Sequence, residues 1–92
     1  MTKRELAEKL TSFCAEYRLL GNPKRVLKAI DRVEQELDNI CFVESVIHML
    51  CLKTKYIDVD NVRLKDLLME LEKVRLDLEY DEHGYRGLKY SR

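Results

Sequence analysis

NVRLKDLLMELEKVRLDLEY, residues 61–80, supports two readings that lead to different folds. Leu64, Leu67, Leu71, Val74 and Leu78 recur at intervals of three, four, three and four, with Leu68 beside them, the spacing of one buried helix face. The second half also alternates, because Val74, Leu76, Leu78 and Tyr80 are separated by Arg75, Asp77 and Glu79, the period of a half-buried strand. On that pattern Asp81–Gly84 would turn a hairpin and give an α+β fold with a C-terminal β-hairpin over residues 74–90. The helix is preferred, since the leucines, Glu70, Glu72 and Lys73 are good helix formers and an isolated two-stranded hairpin is marginal in water. A helix running on from about Asp60 carries a second apolar stripe. At 100° per residue, Val62, Met69, Leu76 and Tyr80 fall on the side opposite the leucine seam.

Upstream, Thr2 followed by Glu5 is a capping-box signature, and Leu6, Leu10, Phe13, Tyr17 and Leu20 give a first amphipathic helix. Gly21 is placed to close it in a left-handed cap, with Asn22 and Pro23 opening a second helix. Val26, Ile30, Val33, Leu37 and Ile40 continue that second helix, so the pair predicts an antiparallel helical hairpin. Asp38 and Asn39 cap or kink the chain. Ile40–Leu52 is then apolar at all but Glu44, Ser45 and His48, which predicts a central third helix buried on most of its circumference. Lys53–Val59 reads as a short extended connection. The expected fold is all-α: a small bundle of about four helices forming one domain over residues 1–81, with a flexible C-terminal tail over 82–92.

Composition bounds the function. The 92 residues carry 17 basic and 17 acidic side chains, a balance that denies the chain the overall positive field of a non-specific nucleic-acid binder. No apolar run approaches the roughly 20 residues that span a bilayer, and Met1–Glu5 does not start a secretory signal. The three cysteines include no CxxC pair and read as reduced thiols, which points to the cytoplasm. GxGxxG, HExxH, GxSxG and Gly-rich phosphate loops are all missing from the sequence. Neither an enzyme nor a cofactor is therefore expected.

Four constellations remain. Cys41, Glu44, His48 and Cys51 line one face of the third helix with Ser45 beside them, suggesting an activated thiolate or a metal site. Residues two turns apart are about 10 Å apart, however, too far for Cys41 and His48 to share a metal. An ordinary Glu44–His48 pair between two small apolar cysteines is the plainer account. Arg18, Lys24, Arg25, Lys28 and Arg32 form a basic surface around the first turn, diluted by Asp31, Glu34 and Glu36. Tyr85, Arg86, Lys89 and Tyr90 make the tail basic and aromatic, suited to folding onto a partner. Val62, Met69, Leu76 and Tyr80 form the fourth, a candidate interface with another chain. The function expected is a small non-catalytic protein–protein interaction module, dimeric, acting as a regulator, adaptor or inhibitor. Its partner is another protein, itself, or both, with no membrane. The alternative is a DNA-binding transcriptional regulator using the basic face near Arg25 and a C-terminal wing.

Overall fold

Among the described residues, three of the four helices begin at a residue whose side chain accepts amide hydrogens that a first turn leaves over. They are seen in a computed structural model, which describes residues 1–19 and 29–83. Helix α1, Lys3–Glu16, opens with the capping box: the Glu5 amide donates to Thr2 Oγ1 at 3.1 Å and the Thr2 amide to Glu5 Oε1 at 2.9 Å. It ends earlier than the sequence suggested. The turn falls at Tyr17–Leu19, where Arg18 takes a left-handed φ of 57°. The Leu19 amide reaches back to the Cys14 carbonyl at 2.8 Å and the Arg18 amide to the Ala15 carbonyl at 3.2 Å. This is a Schellman closure with arginine, not Gly21, in the strained position. Burial of Leu19 in the core accounts for the early stop.

Helix α2, Ile30–Glu36, buries Val33 and is followed by the fully buried Leu37. The expected continuation to Ile40 does not occur. Asn39 Oδ1 accepts from the Cys41 amide at 2.9 Å and the Phe42 amide at 3.4 Å, so Ile40 opens the next helix instead. The expected start of the second helix, Asn22–Lys28, lies outside the described residues, as does Leu20. Helix α3 is Ile40–Lys53; Val43, Val46 and Leu50 are buried, with Phe42, Ile47 and Met49 half-buried beside them, so one side of the helix meets the core. The expectation of burial on most of its circumference is corrected: Cys41, Glu44, Ser45, His48, Cys51 and Leu52 all face solvent. Packing against α4 and the shared core covers one side, and apolar composition alone does not say how wide that side is.

After a turn at residues 54–56, Asp60 Oδ1 accepts from the Val62 and Arg63 amides at 3.1 and 3.2 Å and starts helix α4, Asn61–His83. Residues 74–83 are helical, which overturns the hairpin reading over 74–90 wherever that segment is described. The alternation has a helical explanation. Val74 and Leu78 pack against the core while Leu76 and Tyr80, two residues on, face outward. Arg75 also bonds Glu72 and Glu79, partners three and four positions away that only a helix brings together.

The described residues thus form an all-α bundle with no strand. Helix α1 packs on α2, α3 on α4, and α1 on α4. The ion pairs Lys3–Asp38, Arg4–Asp31 and Arg4–Glu34 (3.2 Å for the last) fasten α1 to α2 and its exit. At the other end of α1 the Asp60 amide donates to Tyr17 Oη at 2.9 Å, and Arg63 reaches Glu16 at 2.6 Å while lying 5.3 Å above the Phe13 ring. Leu6, Leu10 and Phe13 of α1, Leu37, Leu50 of α3, and Leu67 and Leu71 of α4 share one core. Thr11, buried among them, donates its hydroxyl to the Ala7 and Glu8 carbonyls. No helix among the described residues is long and apolar enough to cross a membrane.

Candidate functional site

Helix α4 turns one side to the core, and the described residues leave the other side uncovered. Val62 is 80% exposed, Met69 55%, Leu76 52% and Tyr80 57%, so all four side chains of the predicted stripe stand at the surface. Lys65, Asp66, Lys73 and Asp77 are exposed along its edges. Toward the core, Arg75 is the polar hub: its guanidinium donates to Glu72 through Nε at 3.1 Å and to Glu79 at 3.2 Å. The Arg75 hydrogen bond holds the Glu72 carboxyl below its ordinary pKa, and Glu72 in turn raises that of Arg75, with Glu79 and the α3 residue Glu44 adding charge attraction.

A second apolar patch escaped the sequence reading. Leu52 at the end of α3 and Tyr56 and Ile57 in the connection are exposed, Tyr56 to 87%, with Lys55 Nζ 5.9 Å from the Tyr56 ring centroid. Apolar residues in a link have no period to betray them. Two large apolar side chains in a seven-residue connection, with no helix face to join, were the available signal.

The remaining candidates are less suited to binding or chemistry. Cys41, Glu44, His48 and Cys51 do share one exposed face of α3, yet no three His, Cys, Asp or Glu side chains among the described residues come together to hold a metal. Cys14 is buried, and desolvation pushes its thiol up to about 11, away from a reactive thiolate. A groove of about 300 Å³ between α1 and α4 is lined by Glu8, Lys9, Ser12, Arg63, Asp66 and Leu67. Its charges are mixed, and Arg63 is already engaged by Glu16. Of the basic surface, Arg18 and Arg32 are exposed, on separate elements, while Lys24, Arg25 and Lys28 lie outside the described residues. So do the tail residues Tyr85, Arg86, Lys89 and Tyr90. No protein-family model, no curated protein and no solved structure matches the chain.

Proposed function

We propose that this chain is a small non-catalytic interaction module, working as a regulator, adaptor or inhibitor by covering or bridging a partner protein, and dimeric. One observation carries the reading: the outward face of α4 presents Val62, Met69, Leu76 and Tyr80 along roughly 27 Å of helix. Large apolar side chains aligned on a surface and rimmed by charge mark interaction sites, whereas scattered ones do not. The free thiols Cys14, Cys41 and Cys51 fit a reducing, cytoplasmic setting. The DNA-binding alternative has no comparable support, because the described part of α2 sets Arg32 among Asp31, Glu34 and Glu36.

The test compares the full chain with a Met69→Glu, Leu76→Glu variant as affinity baits, reading captured proteins, including untagged copies of the chain, by quantitative mass spectrometry. Helical circular dichroism should be the same for both. Proteins recovered by the wild type and lost at least tenfold from the variant are the expected result. Equal recoveries would overturn the assignment of this face.

A further inference from the structure

The outward face of α4 has a hidden symmetry. Lys65 and Glu72 lie on one flank of the apolar stripe, Asp66 and Lys73 on the other, and all four are at the surface or half-buried. Each flank therefore carries one base and one acid seven residues apart. The midpoint of both pairs falls next to Met69, and Met69 is itself midway between Val62 and Leu76.

We infer that the first occupant of this face is a second copy of the chain, its α4 running antiparallel about a two-fold axis beside Met69. This rests on the reading of the face as an interface and names what fills it. In an antiparallel pair each flank meets the same flank of the other copy. Asp66 then lies opposite Lys73 of the second copy and Lys65 opposite Glu72, each pair occurring twice. Val62 packs against Leu76 of the second copy, and Met69 against its own equivalent. Tyr80 arrives at the start of the second copy's α4, beside the connection that carries the exposed Tyr56 and Ile57. Both exposed patches thereby fall along one interface.

The parallel arrangement is disfavoured at the far end of the helix. It would bring Asp77 of each copy beside Glu79 of the other, where two helix C-termini, both partially negative, already converge. Antiparallel pairing separates these acids and sets opposed dipoles side by side. The competing bonds within α4 are Lys73–Glu70 at 3.4 Å and Glu72–Arg75. The first is a long, exposed pair that yields readily, and the second engages only part of the Glu72 carboxylate. A single helix face is a small interface, so the dimer is weak and concentration-dependent.

The experiment uses the full chain in sedimentation equilibrium from low micromolar to about 1 mM. The mass should rise from 11.0 kDa toward twice that value. Asp66→Lys and Lys73→Asp should each weaken self-association by about tenfold, and an equimolar mixture of the two should restore it, since each base then meets an acid. In a Cys41→Ser, Cys51→Ser background, Met69→Cys should oxidise to a linked dimer. Val62→Cys should do so only when mixed with Leu76→Cys. A chain that stays monomeric throughout, a mixture no tighter than its components, or Val62→Cys linking to itself more readily than to Leu76→Cys would each overturn the inference. A monomeric chain whose face still captures other proteins in the bait comparison would remove the dimer from the proposed function and leave the interaction module standing with a different occupant.

Discussion

The two hairpins treat their side chains in opposite ways. In α1 and α2 the charges are turned across the helix pair, where Lys3 and Arg4 engage Asp31, Glu34 and Asp38. Apart from Met1, no large apolar side chain of the described N-terminal residues is exposed. In α3 and α4 the described ion pairs lie within α4, apart from Arg63, which reaches Glu16 of α1, and Leu52, Tyr56, Ile57, Val62, Met69, Leu76 and Tyr80 all stand at the surface. One hairpin is closed on itself. The other leaves at the surface large apolar side chains that the described residues do not cover, and the proposed interface rests on them.

The comparison breaks first if the hairpins are not one cooperative unit. Leu71 of α4 is completely buried in the core that all the helices share, so Leu71→Ala should cost about 2–5 kcal/mol in urea unfolding while the transition remains single. Two resolved steps in circular dichroism would mean that the hairpins stand independently. Next in size is an alkaline effect that begins in the N-terminal hairpin. The buried Cys14 thiol keeps its proton until about pH 11 instead of its ordinary 9.0, so the unfolded chain ionises first. Stability from this group is intact below pH 9 and should be lost as pH climbs toward 11, a slope that Cys14→Ala should remove. Cys41 and Cys51, exposed on α3, should meanwhile react with a disulfide reagent at once, and Cys14 only as the chain opens. The smallest effect sharpens the contrast at the one strained point of the closed hairpin. Arg18→Gly relieves the left-handed backbone and should raise stability by about 1 kcal/mol. A lower urea midpoint would show that the Arg18 side chain does more than its backbone costs.

Three helix starts were legible because they depend on local chemistry. Thr2 with Glu5, Asn39 and Asp60 each cap where a side-chain oxygen within reach dictates it. Helix ends were not, because they depend on what is buried next. Glycine is the usual left-handed residue, yet the chain leaves α1 at Arg18 so that Leu19 can enter the core. The burial of α3 was overread for a related reason. Cys41, Cys51 and Leu52 announce an apolar helix, but only tertiary structure reveals which side of it the core covers. The stripe on α4 could be read because helical geometry fixes which residues oppose the leucine seam, whatever lies beyond it. Tyr56 and Ile57 belong to no periodic element, and their exposure emerged only with the fold.

The hydrogen bond from the Asp60 amide to Tyr17 has a practical consequence. The chain contains no tryptophan, so its near-ultraviolet spectrum belongs chiefly to tyrosine. Tyr17 sits half-buried with its ring 4.7 Å from Phe13 and its oxygen held by the first residues before α4. Tyr56 is bathed in solvent. Ultraviolet absorbance and near-ultraviolet dichroism will therefore register the undocking of α4 from α1 through Tyr17, an optical gauge of that joint that needs no added label.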